Sequence, residues 1–133
     1  MLPEKPSPGS AADWLRRARS DLGLACAPLP PDVLYNELCF HAQQAVEKSI
    51  KAVLLERGIE PPRVHGIAYL LELLPPGVSS PPEAVEAIGL SIYAVIARYP
   101  GDYEEVTEEM YQEAIRVARV IFAWAEQIVE RKD

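Results

Sequence analysis

The chain is short of cysteine, asparagine and lysine and has no long apolar run, and each shortage removes a class of protein. Its two cysteines, Cys26 and Cys39, lie in apolar stretches. They form no Cys-x-x-Cys pair and have no histidine at metal-ligand spacing, so neither a disulfide framework nor a zinc site is expected. They read as small buried hydrophobes. No run of about 18 apolar residues exists to span a membrane. The opening MLPEKPSPGS lacks the basic start and apolar stretch of a secretory signal, so the expected location is cytoplasmic. Basic residues are outnumbered 13 to 20, giving a net charge of −7. That balance argues against a nucleic-acid binder relying on overall charge, while leaving room for one basic groove.

What is present points to a helical protein. At 133 residues, with 49% apolar and 25% charged residues, the chain is sized for one domain over 1–133, with 1–10 a flexible N-terminal segment. The 13 prolines cluster at 3, 6 and 8, at 28, 30 and 31, at 61 and 62, at 75 and 76, at 81 and 82, and at 100. Proline clashes inside a helix and suits connections, so these clusters punctuate the chain. Five segments with a period near 3.6 lie between them. The first runs from about Ala11 to Ala27 with Ser10 as N-cap, and the second from about Asp32 to Arg57, stopped by Gly58. The third, Gly66 to Leu74, is short. In the fourth, Ser80, Pro81 and Glu83 read as a capping box, and the segment ends before Pro100. The fifth runs from the cap Thr107 to about Arg131. The expectation is an all-α, up-and-down bundle of four long helices plus one short helix.

The apolar arcs of segments two and five are broad. In segment five Met110, Ala114, Val117, Ala118, Ile121, Ala125 and Ile128 form one stripe, widened by Tyr111, Ile115, Phe122 and Val129. In segment two Leu34, Leu38, Ala42, Val46, Ile50 and Val53 share an arc, with Phe40, Leu54 and Leu55 outside it. Such breadth implies a crowded core or a second interface, and a symmetric homodimer is the expectation.

On the polar side of segment two, His41, Gln44, Lys48 and Lys51 stack within about 80° at 100° per residue. Glu47, four residues before Lys51, is set for a helical ion pair on a solvated face. Two lysines beside an amide and an imidazole also suit an anion. Arg98 and Tyr103 flank the turn YPGDY and read either as helix-end and core-capping residues or as guanidinium clamp and aromatic platform for an anion or base. His65 reads as a cap or packing histidine, and Arg16, Arg17 and Arg19 as solvated charge. Arginine outnumbers lysine nine to four, a hint of a heat-adapted source.

The run CFHAQQAVEKSIKAVLLERG followed by VHGIAYLLELL resembles the HEPN domain family (higher eukaryotes and prokaryotes nucleotide-binding). The features resembled are an aromatic-His-x-x-Gln-Gln-x-x-Glu-Lys-x-x-Lys helix and a histidine opening a short leucine-rich helix, and the likeness covers roughly Ala12 to Ala125. The resemblance implies a helical bundle that usually dimerises. Many members are ribonucleases with an Arg-x(4–6)-His motif; here Arg98 is followed at that spacing by Tyr103, Glu104 and Glu105, none a histidine. A ribonuclease of the toxin type is therefore the alternative. The main expectation follows the branch in which a small HEPN protein partners a minimal nucleotidyltransferase, in some cases as a toxin–antitoxin pair. It implies a nucleotide-like or anionic ligand, here assigned to His41, Gln44, Lys48, Lys51, Arg98 and Tyr103. No cofactor, metal or catalytic activity of the chain alone is expected.

Overall fold

The computed structural model describes residues 5–63, 66–101, 103 and 105–131. Its helices are α1 (Ala11–Ala25), α2 (Tyr35–Glu56), α3 (Ile67–Glu72), α4 (Glu83–Ile88), α5 (Ile92–Ile96) and α6 (Glu108–Val129). A 3-10 turn, Gly89–Ser91, joins α4 to α5, so these three form one interrupted rod. No strand occurs among the described residues, and the architecture is the expected all-α bundle.

Local chemistry sets the starts of α1 and α6 and the end of α2. The Ser10 hydroxyl accepts from the Asp13 amide at 3.2 Å, and Asp13 accepts the Gly9 amide at 2.9 Å, so two orphan donors at the start of α1 are satisfied reciprocally. Thr107 caps α6 by accepting from the Met110 amide. Gly58 closes α2 with φ +78°, and the Ile59 amide reaches back to the Leu54 carbonyl at 2.8 Å.

The fourth segment departs from expectation. The helix begins at Glu83 with Pro82 as its cap, and no side chain caps it, so Ser80 forms no capping box. Pro81 and Pro82 have no amide hydrogens, and the first turn is closed instead by the Ala84 amide on the Pro81 carbonyl at 2.9 Å. The rod then tightens at Gly89–Ser91. A 3-10 turn repeats every three residues, which keeps Leu90 and Tyr93 together on the core side.

The long helices pack around α2, which touches α1, α3, α5 and α6. Ala42, Ala45, Val46, Ile50, Val53 and Leu54 of α2 are fully buried, as is Ile121 of α6. Each large apolar side chain buried this way contributes about 1.5–3 kcal/mol before entropy is counted. Much of the breadth of α2 and α6 is therefore used inside the bundle, while Met110 stays exposed and Ile128 and Val129 partly so. Tyr111 of α6 stacks on Tyr35 at 5.0 Å and donates to the Ala25 carbonyl at 2.6 Å, fixing the end of α1. Arg116 of α6 binds Glu86 of α4 at 2.9 Å, and Arg19 of α1 binds Glu126 of α6 at 2.9 Å.

A regularly spaced stretch of exposed apolar surface lies on the α4–α5 rod and just beyond it. Val85, Ile88, Ile92, Val95 and Tyr99 are all exposed, at successive spacings of three, four, three and four residues. The spacing is that of an apolar heptad in the sequence, although the 3-10 turn lies between Ile88 and Ile92 and Tyr99 follows the end of α5. No helix of the described residues is long and apolar enough to cross a membrane.

Candidate functional site

The polar side of α2 is not a wet surface. Two of its residues turn toward α1, where Asp21 is buried at 8% exposure. Asp21 Oδ1 meets His41 Nδ1 at 2.9 Å, and Oδ2 meets Lys48 Nζ at 2.6 Å. The histidine contact places a hydrogen on Nδ1, because the ionised carboxylate can only accept. Lys51 sits 4.8 Å over the Trp14 ring of α1. Burial pushes its ammonium pKa down, with Glu47 pulling it up and Lys48 pushing it down again. Lys51 therefore makes a cation–π contact in place of the expected Glu47–Lys51 ion pair.

Glu47 is itself only 9% exposed. Its Oε2 accepts from Gln43 Nε2 at 3.1 Å and from Gln44 Nε2 at 3.3 Å, and Gln44 Nε2 also reaches Gln43 Oε1 at 2.8 Å. This amide–carboxylate floor underlies a cleft of about 330 Å³. Arg63, Gly66, Ser91, Ala94 and Arg98 form its walls and mouth.

Arg98 is exposed, with its guanidinium 5.7 Å over the Phe40 ring, and Phe40 meets His41 edge-on at 5.4 Å. Arg98 also borders a second cleft, of about 360 Å³, with Asn36, Glu37, Tyr99, Pro100, Tyr103 and Glu105. Asn36 Oδ1, on the first turn of α2, is buried and has no hydrogen-bond partner among the described residues.

The six residues singled out in the sequence thus divide. Gln44 and Arg98 share one cleft, and Arg98 and Tyr103 share the next. His41 and Lys48 converge on Asp21, and Lys51 packs on Trp14. Lys48, Lys51 and Arg98 do not meet in one pocket. The α1 arginines are also taken: Arg16 and Arg17 pair with Asp13 at 3.1 and 3.3 Å, and Arg19 with Glu126 and Glu130. His65 and Glu104 lie outside the described residues.

Residues 11–128 match the model of the HEPN domain family. This chain belongs to the HEPN family. It is similar to TT1696 from Thermus thermophilus, with 32% identity, a TM-score of 0.79, and 90% of this chain and 98% of that chain covered. It is also similar to ST0689, an archaeal HEPN homologue, with 31% identity, a TM-score of 0.67 and the same coverage. No match was found among curated proteins.

Three residues around this HEPN site escape a reading of the helix period. Arg63 lies in the proline-rich connection after α2, where no period applies. Asp21 falls between Ala18 and Ala25 on the buried stripe of α1, and that placement was the available signal. Asn36 is the one asparagine of the chain, a compositional signal without a spacing partner. No group of three His, Cys, Asp or Glu among the described residues is placed to hold a metal ion.

Proposed function

We propose that this HEPN protein is a binding and interaction module, without catalysis of its own, that takes a nucleotide-like anion between Gln44 and Arg98. The observation that carries the reading is the cleft mouth. Arg63 and Arg98 are exposed and make no ion pair with any described carboxylate, in a chain of net charge −7 whose α1 arginines are neutralised. Guanidinium forks suit phosphate oxygens, and with the Gln44 N–H groups given to Gln43 and Glu47, its Oε1 is left to accept from a base edge.

The family resemblance supports a minimal nucleotidyltransferase as the partner and a toxin–antitoxin setting, with chemistry supplied by that partner. The sequence has no Gly-Ser plus Asp-x-Asp arrangement of its own for metal-bound triphosphate. A second copy of this chain is the other partner. The Val85–Ile88–Ile92–Val95–Tyr99 seam carries no charge and is close to self-complementary about Ile92, with Val85 and Tyr99 each seven residues away. An antiparallel pairing of two such seams is an isologous two-fold contact.

The test is calorimetry of the full chain against nucleoside mono-, di- and triphosphates, together with co-purification from the source cells. Micromolar binding that weakens at least tenfold in Arg98→Ala is expected. Absence of heat with every nucleotide, with no partner recovered, overturns the reading.

A further inference from the structure

The second cleft, of about 360 Å³, differs in charge from its neighbour. Leu34, Ile96 and Pro100 give it apolar walls, and Glu37 and Glu105 line it as well. Both carboxylates are exposed, and neither forms an ion pair with a described residue. Arg98 is the one base among the described residues of this lining, so the two acids outweigh it. Its guanidinium is held over the Phe40 ring, 5.7 Å from the ring centre. The chain from Tyr99 to Glu109 carries five acids and no base, which adds to the negative field at this end of the molecule.

Aromatic rings stand beside these acids. The Tyr103 ring folds back on Gly101, where an added Cβ would come within 2.8 Å of Tyr103 Cε2. Glycine is what lets the ring approach that closely. Tyr99, at the end of the apolar seam, brings a second exposed ring to the cleft. The face of a tyrosine ring is negative and attracts a cation, above all an organic ammonium that gives up its water readily. Unpaired carboxylates, ring faces and hydrocarbon therefore meet in one concavity.

We infer that this cleft binds a small organic polycation, a linear diamine or polyamine. Its ammonium groups meet the Glu37 and Glu105 carboxylates and the Tyr103 ring, and its methylene stretches cover Leu34, Ile96 and Pro100. Such a molecule alternates charge and hydrocarbon, as the lining does. The volume is near the lower end of what holds one small molecule, which suits a slender chain. The site does not rest on the nucleotide reading of the Gln44–Arg98 cleft, and its ligand carries the opposite charge.

The experiment is calorimetry of the full chain with putrescine, spermidine and magnesium ion at about 150 mM salt, where diffuse attraction is screened. Saturable one-to-one binding of spermidine is expected. Putrescine, matched in charge to magnesium, is expected to bind at least tenfold more tightly than the metal. Tyr103→Ala weakens spermidine binding at least fivefold, as does Glu37→Gln combined with Glu105→Gln, while Tyr103→Phe keeps it within twofold. Gly101→Ala, which displaces the ring without altering a charge, weakens it too. All four side chains are exposed, so these changes leave the core intact. Absence of saturable spermidine binding overturns the inference. Putrescine no tighter than magnesium, or an unchanged affinity in Tyr103→Ala, shows only general attraction to an acidic chain and overturns it equally. Nucleotide titrations read the Gln44–Arg98 cleft separately, so the two readings fail independently.

Discussion

The Lys48 ammonium of α2 lies 2.6 Å from the carboxylate of Asp21 on α1, and the same carboxylate holds His41 at 2.9 Å. One nearly buried acid thus fixes the rotation of α2 against α1. Phe40 and Gln44, on the same helix, lie on the side of Arg98.

Removing that acid is expected to loosen the α1–α2 contact. Asp21→Asn keeps the shape and loses the charge opposite Lys48, leaving that cation with an amide oxygen at best. A loss of about 1–3 kcal/mol in urea unfolding is expected. Lys48→Met in the Asp21→Asn background should recover part of it, since no partly buried cation then lacks a partner.

Acid stability should depend on Asp13. The Gly9 amide is the main reason its carboxyl titrates below the ordinary aspartate range; burial opposes this, and Arg16 and Arg17 add to the lowering. Because the folded-state pKa lies below the unfolded one, the unfolded chain binds the proton first as pH falls. The stabilisation is complete above the ordinary aspartate pKa of about 3.9 and is lost as pH drops through the folded value. Unfolding midpoints measured from pH 5 to pH 2 should fall less steeply in Asp13→Asn than in the unaltered chain.

The two thiols should differ in reactivity. Burial pushes the Cys39 thiol up to about 11, against a weaker opposing hydrogen bond with Tyr93, and Cys39 has no exposed surface. Cys26 is partly exposed. At pH 8 a thiol reagent should modify Cys26 at least a hundredfold faster than Cys39 in the native protein. In denaturant the two rates should converge. Mass spectrometry of the modified sites reads the outcome, and equal native rates would contradict the burial of Cys39.

The exposed seam predicts self-association that one charge abolishes. Ile92→Glu is expected to convert a dimer to a monomer in sedimentation experiments at micromolar concentration. Because Ile92 is about half exposed, the monomer's stability should change by no more than about 0.5 kcal/mol. A monomer in the unaltered chain at those concentrations counts against the seam as an interface.

Much of the fold could be read from the chain because its signals are local. Ser10 and Thr107 cap helices as their spacing requires, Gly58 takes the left-handed conformation, and the proline clusters fall between the long helices. The fourth segment was harder. Ser80-Pro81-Pro82-Glu83 has the composition of a capping box, but two consecutive prolines close the turn through backbone carbonyls. The 3-10 turn at Gly89–Ser91 answers to packing on α2, which no period records.

The site was less legible. A helical wheel puts His41, Gln44, Lys48 and Lys51 on one face of α2, and they do share it. It is silent on what covers each part of that face.

By itself the sequence determined that the chain is helical, where its helices cap and break, and which residues bear charge. Those choices depend on torsions and hydrogen bonds between near neighbours. Only the tertiary structure decided that Asp21 engages His41 and Lys48, that Trp14 receives Lys51, and that Arg98 stands between two clefts. The partners in those contacts lie from 20 to more than 60 residues apart, and their meeting depends on how whole helices rotate against one another.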